Sequence, residues 1–306
     1  MKILEFMRSH YRIEQNGWVS FWKVITCFFA CCILSISYAF TQVKNDTIKV
    51  LAIGNSFSQD AVEQNLYDLA KADGIVMIIG NMYIAGCSLE RHVKNVRNNA
   101  PDYLYRKVKA DGTKEDVKGM TLTKALLDEP WDYISFQQSS PLSGIYESYE
   151  EFLPELVDYV KAHVRGTPEL LFHQTWAYAS DCTLGAFNRY NCDQMKMYSQ
   201  IVDAVEKATA LVGIKKIIPA GTAIQNARTS FIGDHMNRDG YHLDLTVGRY
   251  TAACVWYETL TKQCVVGNIY SPKDMPQGYK EVAQAAAHAA AVMPDQITDL
   301  SNMFNK

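Results

Sequence analysis

The sequence has 306 residues, 48% hydrophobic and 21% charged, with 17 Gly, 9 Pro and a formal net charge of −3 at pH 7. That composition is ordinary for a globular protein and excludes collagen, coiled-coil and disordered classes. The slightly acidic balance argues against nucleic acid as a partner, because nucleic-acid binders carry a basic surplus.

The first 39 residues stand apart. Lys2, Arg8, Arg12 and Lys23 precede an apolar run from Val24 to Leu34, and Ser37-Tyr38-Ala39 places small residues at −3 and −1 of a cleavage site after Ala39. This pattern predicts a secretory signal peptide over 1–39. The run is short for a membrane span, which needs about 20 apolar residues. The alternatives are an uncleaved anchor and lipidation at Ala30-Cys31. Cleavage would leave residues 40–306 as a single domain, exported to the periplasm or the cell exterior, with no stable membrane span. Of the eight cysteines, Cys27, Cys31 and Cys32 lie in the leader, leaving Cys87, Cys182, Cys192, Cys254 and Cys264. Five cannot all pair. Cys182 and Cys192 flank a polar loop and could pair in an oxidising compartment, whereas Cys254 sits in an apolar helical stretch as a buried thiol. Neither a C-x-x-C nor a histidine cluster suggests a metal site, and no cofactor is expected.

Downstream, apolar runs alternate with helical spacing. Ile48–Ile53 ends at Gly54 and predicts a buried strand, followed by a helix over Asp60–Ala72. Strands are expected again over Val76–Gly80, Trp131–Gln137, Leu170–Trp176 and Lys216–Ala220. Helices are expected over Leu89–Asn98, Phe152–Val164, Asp193–Val212, Val247–Leu260 and Tyr279–Val292. Residues 103–118 predict an excursion hairpin on the Asp111-Gly112 turn. Together these elements predict an α/β fold in which helices cover both faces of a mainly parallel five-stranded sheet.

In such sheets, sites form beyond the carboxyl ends of the strands. Four segments fall there: Gly54-Asn55-Ser56, the loop at Gly86, Gln137-Gln138, and Asp239-Gly240-Tyr241-His242. Ser56 on a strand-to-helix turn is a candidate nucleophile, against the plainer role of a helix-capping serine that Ser58 or Asp60 could also fill. His242 is the candidate base and Asp239 its orienting acid. Asp244 and Asp234 are rival acids, and His235 is a rival base. His173, inside an apolar strand, reads as a core residue. The Gly86 backbone and a strand-end amide are candidate oxyanion donors, against ordinary turn and strand-end roles.

Gly54-Asn55-Ser56-Phe57-Ser58, Gly86, the strand-end amide and Asp239-Gly240-Tyr241-His242 together resemble the SGNH (GDSL-type) hydrolase superfamily. With Trp131-Asp132-Tyr133-Ile134-x-Phe136-Gln137-Gln138 and His242-Leu243-x-x-x-x-Gly248-Arg249-Tyr250, they are similar to a secreted branch common in Bacteroidetes. The likeness runs from about Lys49 to Leu260. It implies a three-layer α/β/α flavodoxin-like fold and a carboxylic ester hydrolase, often a carbohydrate deacetylase. The implied nucleophile is Ser56, the implied triad partners are His242 and Asp239, and the implied oxyanion donors include the Ser56 and Gly86 backbones. Two departures stand out. Asn55 occupies a position where that superfamily has Asp, and Gln137-Gln138-Ser139-Ser140 replaces its Gly-x-Asn-Asp block, with Gln138 expected to supply the missing amide.

The resulting expectation is a secreted esterase removing acetyl or other short acyl groups from a small-molecule or glycan ester. Tyr83, Trp176 and Tyr178 are placed to stack on a sugar or to pack internally. The alternatives are a lipase or thioesterase, a non-catalytic glycan-binding module on the same fold, and a structural envelope protein. The acyl group, the alcohol and the oligomeric state are left open.

Overall fold

A computed structural model of the chain describes residues 47–304. The leader read over 1–39 and its cleavage site lie outside the described residues. Among those described, no helix is long and apolar enough to cross a membrane.

The chain forms an α/β fold around a seven-stranded sheet. Its strands are β1 (Ile48–Gly54), β2 (Met77–Tyr83), β3 (Tyr103–Val108), β4 (Lys114–Met120), β5 (Tyr133–Phe136), β6 (Glu169–Gln174) and β7 (Lys216–Pro219), in the order β4-β3-β2-β1-β5-β6-β7. β1 runs parallel to β2 and β5, with Ile53 opposite Met82 and Phe136, and β5, β6 and β7 continue in parallel. Val50, Leu51, Ala52 and Ile53 are successive residues on alternate faces and all are buried, so β1 is covered on both sides.

The longer helices are α1 (Ser56–Val62), α2 (Leu66–Ala72), α3 (Leu89–Arg97), α4 (Phe152–His163), α5 (Gln194–Val212), α6 (Ala220–Arg228), α7 (Val247–Thr261) and α8 (Tyr279–Val292). They form two groups: α7 packs on α1, α2, α6 and α8, while α4 packs on α3 and α5. The core between sheet and helices is aromatic, with Trp176, Trp256, Tyr149, Tyr178, Tyr250 and Phe172 fully buried.

Two expectations are corrected. The sheet has seven strands rather than five, because the 103–120 hairpin is not an excursion. β3 pairs antiparallel with β2 along Ile79–Tyr83 and buries Tyr103, Tyr105 and Val108. The hairpin thereby takes the edge that β2 would otherwise leave open. The single helix expected over Asp60–Ala72 is two, broken at Glu63–Asn65. There Glu63 turns inward to an ion pair with Arg106 at 2.7 Å and a hydrogen bond from Asn81 Nδ2 at 2.7 Å.

Two histidines sit in the core without charge. Burial pushes both His92 and His173 down to a pKa of about 3. In the unfolded chain each would titrate near 6.5, so the unfolded state binds protons that the folded state refuses. Their effect is therefore loss of stability as pH falls through the window from about 6.5 to about 3. At most this amounts to about 2.7 kcal/mol per pH unit for the two together. Urea denaturation at pH 7 and pH 5 should show the lower midpoint at pH 5; equal midpoints would contradict two neutral buried histidines.

Candidate active site

β1 delivers the chain to the carboxyl edge of the sheet and α1 starts at once, with Ser56 as its first residue. Asn55 is the helix cap: its Oδ1 accepts from Phe57 N at 2.9 Å. Capping is thus performed by Asn55, which leaves Ser56 free of that task. Close packing explains the preceding glycine, since a Cβ on Gly54 would lie 2.5 Å from Ser58 Oγ and 2.8 Å from the Gln137 carboxamide.

Beyond α6 the chain returns across this edge in a tight turn. Asn237 and Leu243 form an antiparallel bridge, and Arg238 N donates to His242 O at 3.0 Å. The turn brings His242 Nε2 to 2.9 Å from Ser56 Oγ, while His242 Nδ1 lies 2.7 Å from Asp239 Oδ2. Asp239 Oδ1 also accepts from the backbone N–H of His242 at 2.7 Å and of Tyr241 at 3.2 Å. Partial burial works to raise the Asp239 pKa, but the His242 side chain and these backbone donors outweigh it and hold the carboxyl below its usual range. An ionised Asp239 fixes the proton of neutral His242 on Nδ1, leaving the Nε2 lone pair directed at Ser56. Ser56 is half-buried, so the hydroxyl remains reachable.

The imidazole rests on an aromatic base. Phe57 stacks on Trp176 with centroids 4.3 Å apart, and the Phe57 ring approaches His242 at 5.9 Å. Trp176 Nε1 donates to Tyr241 O at 2.8 Å. Trp176 and Tyr178 are fully buried, so both pack internally instead of offering a face to a sugar; Tyr83 is half-buried.

The Gly86 loop follows β2. A hydrogen bond from Cys87 N to Ile84 O closes a turn in which Gly86 takes φ +61°, a left-handed conformation that a side chain would strain. Asn55 Nδ2 donates to Cys87 O at 3.0 Å and so ties this loop to the Ser56 turn. Among the described residues, neither the Ser56 N–H nor the Gly86 N–H has an acceptor.

Residues 49–290 match the family described as "Domain of unknown function (DUF4886)". The chain belongs to that family. A crystal structure of a DUF4886 family protein from Bacteroides uniformis is 65% identical, with a TM-score of 0.82, covering 83% of this chain and 98% of that one. More distant are a protein from Slackia heliotrinireducens assigned as an SGNH hydrolase and a catalytic variant of an acetylxylan esterase from Geobacillus stearothermophilus. The first is 19% identical with a TM-score of 0.46, covering 70% of this chain and 99% of that one. The second is 10% identical with a TM-score of 0.45, covering 74% and 97%. Similarity at that level carries no argument about this chain. A search of the curated proteins finds no match.

In this DUF4886 chain the structure brings together Ser56, His242 and Asp239 and leaves Gln138 outside. Gln138 Nε2 donates to Ser148 O and Oγ at 3.1 and 3.0 Å, and its Oε1 accepts from Leu89 N at 3.0 Å and Ser139 N at 2.8 Å. The expected amide donor to the site is therefore corrected: this carboxamide fastens the start of α3. Gln137 is equally committed, donating to Asn55 Oδ1 at 2.8 Å and accepting from His173 Nδ1 at 2.9 Å. His173 is a core residue, as its apolar strand suggested. The rival acids are occupied: Asp244 accepts from Thr246 N and Val247 N at the start of α7, and Asp234 pairs with Arg228 at 2.8 Å. His235 is exposed. Cys182 and Cys192 are free thiols, unpaired with each other.

Sequence reasoning placed Asp60 only as an alternative helix cap and missed its part in holding the site. It lies one helical turn after Ser56, its side chain has no exposed surface, and it meets Arg238 at 3.0 Å and Arg249 at 2.6 Å. It also accepts from Leu243 N at 2.9 Å. Arg238 Nη1 additionally donates to Leu243 O. One carboxylate thus clamps the turn carrying His242 onto the helix carrying Ser56. Its signal in the sequence was an acid among the apolar positions of a helix, which demands a buried cation.

Proposed function

We propose that this protein is a serine ester hydrolase cleaving acetyl or another short acyl ester, with a carbohydrate-derived alcohol as the leaving group. The observation carrying the reading is the unbroken relay Ser56 Oγ–His242 Nε2–His242 Nδ1–Asp239 Oδ2, at 2.9 and 2.7 Å. Ser56 Oγ attacks the carbonyl carbon as its proton passes to His242 Nε2, and Asp239 stabilises the resulting imidazolium. The Ser56 and Gly86 N–H groups, which have no acceptor among the described residues, are the donors this reading assigns to the carbonyl oxygen as it becomes anionic. Collapse expels the alkoxide, which takes the proton back from Nε2, and water repeats the sequence on the acyl-Ser56 ester.

The pattern over 1–39 supports export, and with it a substrate met outside the cytoplasm. One observation favours a second reading, a glycan-binding module without turnover: Gln138 is committed to Ser148, so two backbone donors act without a side-chain amide.

Hydrolysis of p-nitrophenyl acetate and butyrate separates these readings. The esterase reading expects turnover of both esters with acetate the faster. Rates equal to buffer for both would overturn it and make glycan binding the leading function.

A further inference from the structure

Near the carboxyl-terminal end of α7, three side chains from separate elements converge. Glu258 lies on the last turns of α7, Cys264 in the loop that follows, and His288 on α8. Cys264 Sγ is 3.5 Å from His288 Nδ1, and His288 Nδ1 is 2.7 Å from Glu258 Oε1. One ligand atom from each lies within 4.8 Å of the others.

We infer that Glu258, Cys264 and His288 form a binding site for a zinc-class divalent cation. Bond lengths decide it: tetrahedral zinc, with Zn–S about 2.3 Å and Zn–N about 2.0 Å, holds sulfur and nitrogen about 3.5 Å apart. The Cys264–His288 pair already has that spacing, at 3.5 Å. Nitrogen and carboxylate oxygen on the same ion stand about 3.3 Å apart, so Glu258 need retreat only about half an ångström from its present hydrogen bond. Thiolate, imidazole and carboxylate together suit zinc and cobalt, whereas calcium and magnesium prefer oxygen alone.

Around these atoms the scaffold is already ordered. The Glu258 side chain is 12% exposed, and its second oxygen accepts from Val265 N at 3.0 Å, which fixes both the carboxylate and the residue next to Cys264. Gln284 on α8 accepts from Gly267 N at 3.0 Å and donates to Asn268 O at 2.9 Å, holding the same loop. His288 is 42% exposed and Cys264 is exposed, so an ion can enter and a water can complete the fourth position. Binding displaces the thiol proton of Cys264 to solvent and takes the lone pair of His288 Nδ1, with its proton on Nε2. The ion would then cross-link the end of α7, the 262–268 loop and α8. The sequence shows no such motif because the ligands are spread over three elements.

The test is titration of the reduced, full chain with zinc and with cobalt, beside Cys264→Ser and His288→Ala. The wild type should bind one ion per chain, raise its Tm in zinc, and show thiolate-to-cobalt charge-transfer absorption. Cys264→Ser should abolish that absorption, and each variant should weaken zinc binding by about 10²-fold or more. Because Cys264 is exposed, its serine variant keeps the fold and separates metal loss from unfolding. Failure of the wild type to bind, or binding unchanged in both variants, overturns the assignment. Ester hydrolysis is read in neither arm, so the outcome stands apart from the proposed function.

Discussion

Alanine at position 56 is expected to reduce turnover of p-nitrophenyl acetate on the order of 10⁶-fold in kcat, the size of loss seen when a serine nucleophile is deleted. The fold should be unaffected, because the Ser56 side chain is small and half-buried and its hydrogen bond runs to His242 alone. Asp239→Asn tests the same relay from its other end. An amide there can present its NH2 to His242 Nδ1 and hold the ring with its proton on Nε2, where it can no longer accept from Ser56. The loss should be on the order of 10⁴. Backbone bonds from His242 N and Tyr241 N can still be accepted by the amide oxygen, so the turn should survive. Either variant retaining activity within tenfold of the wild type would remove that residue from the mechanism.

The second large effect is structural. Asp60→Ala should cost about 3–5 kcal/mol, because deleting one partner of a buried ion pair strands the other. Arg249 is the residue stranded, with its side chain only 11% exposed, while Arg238 at 31% can turn to solvent. Activity should fall as well, since Leu243 N loses the acceptor that sets the position of His242. Chemical denaturation measures the first effect and kcat the second. Adding Arg249→Met to Asp60→Ala should recover part of the stability, because an apolar side chain of similar length tolerates the same site. A single variant as stable as the wild type would show that Asp60 is not the clamp.

Much of this was legible in the sequence. The apolar run into Gly54-Asn55-Ser56 could end only at the carboxyl edge of a parallel sheet, and Asp239-x-x-His242 had to return to that edge. The spacing of α7 and α8 was plain from their apolar periodicity. What escaped was set by partners distant in sequence. Gln137 and Gln138 are chemically alike, and nothing local says that Ser148 will claim one and His173 the other. The 103–120 hairpin was visible as a hairpin, but its docking on β2 depends on an edge that no local pattern announces. Helix α6 is absent from the expected helices, and its first residue, Ala220, was expected as the end of a strand. In the fold, Pro219 sits just before the helix, and a Cβ on Gly221 would lie 2.2 Å from Thr175 O, so the helix needs that glycine for its close approach.

The Asp60 clamp also bears on when the site comes into being. Ser56 and His242 are 186 residues apart, and Asp60 waits for Arg249, 189 residues further along the chain. A chain growing from its amino terminus lays down the nucleophile's helix early and its base only near the end. Contacts of such long range form late, after the intervening loop entropy has been overcome. A truncated chain ending before Arg238 would carry Ser56 on its turn with no base to deprotonate it, and α1 with a carboxylate still lacking both counter-ions. Assembly of the relay and completion of the fold are, for this protein, a single event.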